Sequence, residues 1–128
     1  MTLITRSVRS YRTGPQRLAV YGSLAPGRPN HYLLAPLGGR WCAGTVRGRL
    51  VRKGWGARMG FPGIVLDPLA GDVPVHMLET PRLCRHWRQL DRFEGRGYRR
   101  VQTCVTVKGR AFMAWIYEVN GPRPATLL

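Results

Sequence analysis

The order of apolar and polar positions divides the chain into short strand-like segments around one helical segment. Residues 18–21 form an apolar run that stops at Gly22-Ser23, as in a buried strand that leads into a tight loop. Residues 45–51 instead alternate, which is typical of a strand with one solvated face. The apolar side of that strand would consist of Val46, Gly48 and Leu50.

Residues 80–93 carry the period of a helix. Thr80 is a suitable N-cap, and Pro81 fits the first helical position, where no backbone N–H is needed. Spacings of four, three and four residues then define one inward face, made of Leu83, Trp87, Leu90 and Glu94. The opposite face is polar and consists of Arg82, Arg85, Gln89 and Arg92.

Glu94 is a carboxylate at the spacing of core residues, in a chain with six acidic and twenty-one basic residues. Glutamate is seldom buried without a partner or a function. Burial would raise its pKa towards neutrality and nearby arginines would lower it. In the alternative interpretation the helix ends near Phe93, and Gly95 releases Glu94 to solvent. Spacing alone leaves both open.

The remaining segments complete an α+β pattern. Strands are predicted at residues 61–66, 73–78, 101–107 and 110–119, with turns at Gly71-Asp72 and Lys108-Gly109. Asn30 is a candidate N-cap for a short helix over residues 31–34. About six strands, one main helix and one short helix predict a small mixed, mostly antiparallel β-barrel. We expect one domain over residues 18–119, a flexible basic arm over 1–17 and a loose tail over 120–128.

Composition excludes several classes of protein. No apolar run approaches the ~20 residues of a membrane span, and the N-terminus lacks the apolar core of a secretory signal. Cys42, Cys84 and Cys104 are odd in number and form no C-x-x-C pair, and the histidines lack metal-ligand spacing. We therefore expect a cytoplasmic protein without metal or disulfides.

The formal charge of +15 attracts polyanions through its long-range field. However, the basic residues are dispersed from Arg6 to Arg123, and no nucleic-acid-binding motif accompanies them. Specific nucleic-acid binding is not expected, whereas non-specific polyanion binding remains open.

Two motifs combine these observations into a resemblance. Tyr21-Gly22-Ser23-Leu24 follows the first strand, and Asp91-Arg92-Phe93-Glu94-Gly95 ends the helix, with Tyr98 shortly after it. Together with Pro29-Asn30-His31 and Phe61-Pro62-Gly63 in the same order, they make residues 18–117 similar to the gamma-glutamylcyclotransferase-like superfamily, AIG2-like branch.

The resemblance implies a β-barrel enzyme that cyclises a γ-glutamyl amine or amide to 5-oxoproline and releases the amine. Glu94 would be the acid/base, and no cofactor would be needed. The small γ-glutamyl substrate would contact the loop after the first strand and two later tyrosines. These implied contacts are Tyr21, Gly22, Ser23, Leu24, Tyr98 and Tyr117.

One departure from the family pattern leaves a second interpretation open. The predicted strand at residues 73–78 lacks the Gly-Glu-x-Tyr-like stretch usual in the family. A non-catalytic protein on the same scaffold, binding a small ligand or a polyanion, would expose Glu94 or pair it with arginine, whereas an enzyme would seclude it. The leaving amine and the oligomeric state are not specified by these motifs.

Overall fold

A computed structural model gives the fold. It describes residues 16–22, 24–53 and 61–120, with the side chains of residues 52, 53, 61 and 62 left out. The strands are β1 (Gln16–Val20), β2 (Arg40–Lys53), β3 (Phe61–Leu66), β4 (Asp72–Thr80), β5 (Tyr98–Val107) and β6 (Arg110–Val119). One α-helix, α1 (Trp87–Glu94), and 3₁₀ segments at His31–Leu33, Ala35–Leu37 and Pro81–Arg85 complete the described part of the chain.

Five of these strands close into a ring in the order β1, β4, β2, β5, β6 and back to β1. The ring is closed by a parallel pairing of β1 with β6, at Leu18 and Trp115, and by one pair of residues between β2 and β5, Thr45 and Thr106. The sixth strand, β3, pairs with the far half of β2, and its pairing with β6 is limited to Ile64 and Glu118. The prediction of a mixed, mostly antiparallel barrel with helices is confirmed.

β1 is buried on both faces. Ala19 points into one apolar cluster with Val46, Ile64 and Ile116. Leu18 and Val20 point into a second cluster, which α1 and the 3₁₀ segments cover with residues that include Leu34, Leu37, Leu83 and Leu90. A strand covered on both faces needs apolar residues at successive positions, which explains the unbroken run at residues 18–20.

The alternation predicted for residues 45–51 is correct only in its first half. Val46 and Gly48 are buried, but Leu50 is 51% exposed. The strand is also twice the predicted length, and its pairing with β4 ends at Arg47. Beyond that point β2 pairs only with β3, and the face of the strand that carries Leu50 does not pack against the apolar core.

The prediction of one continuous helix from Pro81 is wrong. Thr80 does act as the cap, because its Oγ1 accepts the Arg82 N–H at 3.3 Å. The first turn, however, is 3₁₀, and His86 separates it from α1. The His86 N–H donates to Leu83 C=O at 2.9 Å, while its ring Nδ1–H bonds Arg82 C=O at 3.0 Å. The His86 ring thus bonds the Arg82 C=O, which would accept the His86 backbone N–H in a continuous α-helix.

The short helix differs from its prediction as well. It consists of two 3₁₀ segments, and Asn30 makes no side-chain cap bond. The reason is its backbone, with φ −102° and ψ 13°, which departs from the extended conformation of an N-cap. Asn30 instead offers its carbonyl to the Leu33 N–H at 3.1 Å.

Both predicted turns exist, one of them displaced. Lys108 and Gly109 have φ of 50° and 78°, so both residues are left-handed, as in the tight turn of a twisted hairpin. Asp72 already belongs to β4, and the chain reverses earlier, where the Ala70 N–H donates to Asp67 C=O at 3.0 Å.

The domain limits are only partly described. β1 starts at Gln16, so the last two residues of the predicted N-terminal arm belong to the barrel. The remainder of that arm, residues 1–15, and tail residues 121–128 lie outside the described residues.

Candidate active site

Glu94 is the last residue of α1 and is half-buried. The helix stops at Gly95, whose φ of 77° is easily adopted only by glycine and whose N–H donates to Asp91 C=O at 2.9 Å. The helix therefore includes Glu94 and ends after it. The exposure of Glu94 is intermediate between that of the secluded carboxylate expected of an enzyme and that of the exposed carboxylate expected of a non-catalytic protein.

Tyr21 connects the end of β1 to two other strands. Its hydroxyl donates to Tyr117 C=O at 2.6 Å and accepts the Ile64 N–H at 3.1 Å. Burial raises the pKa of Tyr21 strongly, and the charge of nearby Glu94 adds to the rise. The hydroxyl therefore remains neutral and holds β1, β3 and β6 together at this end of the barrel.

Tyr117 connects the barrel to α1. Its hydroxyl donates to Asp91 Oδ1 at 2.7 Å, and the pKa of Tyr117 is raised by burial, by this bond and by the charges of Asp91 and Glu94. Asp91 also accepts from Arg100 Nε at 2.9 Å and from Nη2 at 3.2 Å. The Arg100 bonds keep the pKa of Asp91 below its usual value, against the effect of burial. Asp91 is thus a fixed anion.

Arg100 is held from its faces as well as its edge. Its guanidinium lies 4.3 Å from the ring centre of Trp87 and 4.8 Å from that of Trp115. We call Asp91, Arg100, Trp87 and Trp115 the arginine clamp. Because it joins α1 to β5 and β6, the clamp fixes the helix that carries Glu94 against the barrel.

These contacts gather most of the predicted site residues. The charge of Glu94 helps to raise the pKa of both Tyr21 and Tyr117. Tyr98 is buried and also acts on Tyr21. Tyr21 and Tyr117, which are 96 positions apart, are thus hydrogen-bonded to each other, and the charges of Glu94 and Tyr98 influence this pair.

The loop after β1 borders this group. The Ala25 N–H donates to Gly22 C=O at 3.0 Å, and Leu24 is buried in the core with its carbonyl bonded to His31 Nδ1 at 3.0 Å. A Cβ placed on Gly22 would meet no atom within 4 Å among the described residues beyond its chain neighbours. Packing within this part of the chain therefore gives no reason for glycine at this position. Ser23 lies outside the described residues.

A cavity of about 570 Å³ adjoins the end of α1. It opens beside Tyr98 and Tyr117, and four of its lining residues are arginines. The full lining consists of Asp91, Arg92, Gly95, Arg96, Tyr98, Arg99, Arg100 and Tyr117.

Sequence reasoning missed Glu118, which is 2% exposed in β6. Its Oε2 accepts the Leu66 N–H at 2.8 Å, and its Oε1 pairs with Arg99 Nε and Nη2 at 3.2 and 3.1 Å. Glu118 and Tyr21 thus supply side-chain acceptors to alternate N–H groups of β3. The available signal was an acid inside the apolar run 111–119 of an acid-poor chain.

Metal ligands, cysteines and membrane spans can be surveyed in the described part of the chain. Within residues 16–22, 24–53 and 61–120, no three His, Cys, Asp or Glu side chains are grouped as metal ligands. Cys42, Cys84 and Cys104 are free thiols. No helix in the same ranges has the length and hydropathy to cross a membrane.

Solved structures share this barrel. An AIG2-like protein from Mus musculus aligns with a TM-score of 0.63 and 24% identity, over 88% of this chain and 82% of its own. YkqA from Bacillus subtilis aligns with a TM-score of 0.63 and 28% identity, over 83% of this chain and 36% of its own. A protein described as gamma-glutamyl cyclotransferase aligns with a TM-score of 0.61 and 18% identity, over 83% of this chain and 67% of its own.

The sequence itself gives the more specific relationship. No curated protein matches the chain. A family model described as "Gamma-glutamyl cyclotransferase, AIG2-like" matches residues 18–127, which include both motifs and all of the barrel except the first two residues of β1. The chain therefore belongs to the gamma-glutamyl cyclotransferase, AIG2-like family.

Proposed function

We propose that the protein is an enzyme that cyclises a γ-glutamyl amine or amide to 5-oxoproline and releases the free amine, with Glu94 as general acid/base. The observation that carries this proposal is the position of Glu94. It is half-buried at the end of a clamped helix and acts on the hydroxyls of Tyr21 and Tyr117 beside the Gly22 loop.

The reaction is an intramolecular aminolysis. The α-amine of the glutamyl group attacks its own γ-carbonyl carbon, a five-membered lactam closes, and the bond from that carbon to the leaving nitrogen breaks. The α-ammonium, with a pKa of roughly 8, must first lose a proton. Glu94 takes that proton and returns it to the departing nitrogen. The attacking nitrogen loses its second proton as the lactam forms, and this proton also passes to the released amine, which leaves as an ammonium ion while the carboxylate ends the cycle unchanged.

The neighbouring tyrosines suit binding better than proton transfer. Their raised pKa values keep both hydroxyls protonated at neutral pH, and each already donates a hydrogen bond within the protein. In the proposal Tyr98 and Tyr117 form walls beside the substrate, and Asp91 positions Tyr117. This leaves Glu94 as the base among the four gathered residues.

The loop at residues 21–24 is the proposed site of the glutamyl α-carboxylate. Backbone N–H groups of a tight glycine-containing loop suit a small anion. The open space above Gly22 supports this assignment, because a close-approaching ligand would explain a glycine that internal packing does not require. No cofactor is required by this chemistry, since the nucleophile belongs to the substrate and the site has only to fold it.

The test is release of 5-oxoproline from γ-glutamyl amino acids, γ-glutamylamines and ε-(γ-glutamyl)lysine. Glu94→Gln should lower kcat by at least about 100-fold on any active substrate, since a positioned acid/base contributes typically 10²–10⁴-fold. Glu79→Gln is the matched control, because Glu79 is also partly buried but pairs with Arg17 at 2.8 Å on β1 and β4. Equal activity of the wild type and Glu94→Gln would refute the assignment.

A further inference from the structure

We infer that the outer face of the two helical segments at residues 81–94 binds the phosphate backbone of nucleic acid without sequence specificity. Four exposed arginines form this surface, which we call the basic face: Arg82, Arg85, Arg88 and Arg92. The inference is independent of the proposed function, because it concerns the solvent side of the helical segments and involves no step of catalysis.

The spacing of the four arginines follows the two types of helix. In the 3₁₀ segment, residues three apart lie on the same side, as Arg82 and Arg85 do. In α1, residues four apart lie on the same side, as Arg88 and Arg92 do, and both are opposite the buried Leu90. Each segment thus presents two arginines to solvent from one side.

The two segments follow each other through His86. The His86 N–H donates to Leu83 C=O at 2.9 Å, and the Leu90 N–H donates to His86 C=O at 3.0 Å, so hydrogen-bonded turns continue on both sides of the junction. At 2.0 Å per residue in the 3₁₀ part and 1.5 Å in α1, the basic face is about 17 Å long. Arginines that are dispersed in the sequence are therefore collected into one row at this surface.

No ion pair neutralises the basic face within residues 16–22, 24–53 and 61–120, which contain all six acids of the chain. Asp91 is next to Arg92 in the sequence, but its carboxylate is bound to Arg100. Arg82 Nη1 donates to Leu37 C=O at 2.9 Å, which is a neutral acceptor. The four positive charges therefore remain available to an external anion.

The helical segments are not stabilised by these charges. Neither segment has an acid in its first turn, and Arg82 and Arg88, each the second residue of its segment, lie at the positive end of the backbone dipole. Like charges one turn apart also repel each other. A chain of phosphates along the row would relieve both effects.

A nucleic-acid strand fits the row in charge and in length. Guanidinium groups bind phosphate oxygens in a bidentate manner. One strand of a duplex carries a phosphate every 3.4 Å along the axis, so a row of about 17 Å faces about five phosphates. Such contacts carry no sequence information, in agreement with the absence of a base-reading motif from the sequence.

An anionic membrane fits the same surface less well. A helix that lies on a bilayer inserts apolar side chains beside its basic ones. Here the apolar residues of α1, Trp87, Leu90 and Phe93, pack against the protein core instead. The basic face therefore offers charge to a partner without an apolar anchor.

The experiment measures binding of a short fluorescein-labelled DNA duplex by anisotropy, between about 50 and 200 mM salt. Other basic residues contribute to binding, so the readout is the change caused by each variant. Arg85→Gln/Arg88→Gln should make the slope of log Kobs against log [salt] less steep by about 1.8 and weaken binding by at least about tenfold at 0.1 M salt. Arg85→Lys/Arg88→Lys keeps both charges and should keep the slope of the wild type.

Lys108→Asn/Arg110→Gln is the matched control, because it also removes two exposed charges. These residues flank the hairpin turn, about 25 Å along β5 from Arg100, to which α1 is bound. Asparagine is used at residue 108 because it tolerates the positive φ there. The control should keep the slope of the wild type and its affinity to within about twofold.

Equal effects of the two charge-removing double variants would show attraction by net charge alone and would overturn the inference. Absence of DNA binding by the wild type at about 50 mM salt would overturn it as well. Vesicles of phosphatidylserine are tested in parallel. If the arginine pair proved necessary for binding to vesicles and not to DNA, the basic face would be a membrane surface and the inference would be wrong.

Discussion

Replacing Gly22 by alanine tests whether glycine is needed at this position for substrate binding or for the stability of the fold. The backbone at Gly22 is outside the left-handed region, and an added Cβ would meet no atom of the described, non-neighbouring residues within 4 Å. Alanine also restricts the unfolded chain more than glycine does. We therefore expect Gly22→Ala to leave stability unchanged or to raise it by about 0.4–1 kcal/mol.

Activity should respond in the opposite direction. If the glutamyl carboxylate approaches the loop as proposed, the new methyl group displaces it by about the width of a carbon atom. A misplacement of 1 Å can cost about 100-fold in rate. We expect kcat/KM for the best γ-glutamyl substrate to fall by about that factor while the urea midpoint stays level or rises.

Gly71→Ala provides the matched control. Gly71 also has open space around its would-be Cβ and lies outside the left-handed region, but it is in the β3–β4 connection. Its stability should change as in Gly22→Ala, and its kinetics should not change. The reasoning is refuted if Gly22→Ala retains wild-type kcat/KM, or if it loses activity only because it unfolds.

Three further changes test the fold that supports the site. Glu118→Ala removes the acceptor of the Leu66 N–H and should lower the free energy of unfolding by about 2–3 kcal/mol. Glu118→Gln keeps an acceptor and should lower it by about 1 kcal/mol. Equal losses for the two variants in urea unfolding would contradict this. The pKa of Asp91 is lower in the folded than in the unfolded protein, so the ionised carboxylate stabilises the fold at pH values above its unfolded pKa of about 4, and this stabilisation is lost as the pH falls through the folded pKa. The difference in free energy of unfolding between wild type and Asp91→Asn should therefore shrink from pH 7 to pH 3. Gly39→Ala places a Cβ 2.5 Å from Glu79 C=O at a φ of 96° and should lower the free energy of unfolding by more than about 2 kcal/mol. An unchanged melting temperature would contradict this geometry.

The barrel was predictable because local pattern and tertiary environment agree along most of the chain. Residues 18–20 are apolar at every position because β1 is covered on both faces, and the Lys108-Gly109 turn matches the twist of the hairpin it joins. Glu94 was selected as a candidate because its helical spacing puts an acid among core positions. These signals are contained in short segments of sequence.

The departures depend on contacts between distant segments. Leu50 is exposed because β2 outlasts its pairing with β4, which no local alternation reveals. The helix breaks because the His86 ring takes a carbonyl of the preceding turn. The bonds from Ile64 to Tyr21 and from Leu66 to Glu118 join residues 43 and 52 positions apart, so these two side-chain roles could not be read from spacing.

The central claim is that the substrate's own α-amine is the nucleophile and that Glu94 transfers its proton. The most direct measurement follows γ-glutamyl-alanine, labelled with ¹⁵N at the glutamyl α-amine, by NMR in the presence of the enzyme. The account predicts that the label moves into the lactam N–H of 5-oxoproline as alanine is released, and that Glu94→Gln suppresses this signal. Release of alanine with the label left on the free amine of glutamate would show hydrolysis by water and would contradict the account.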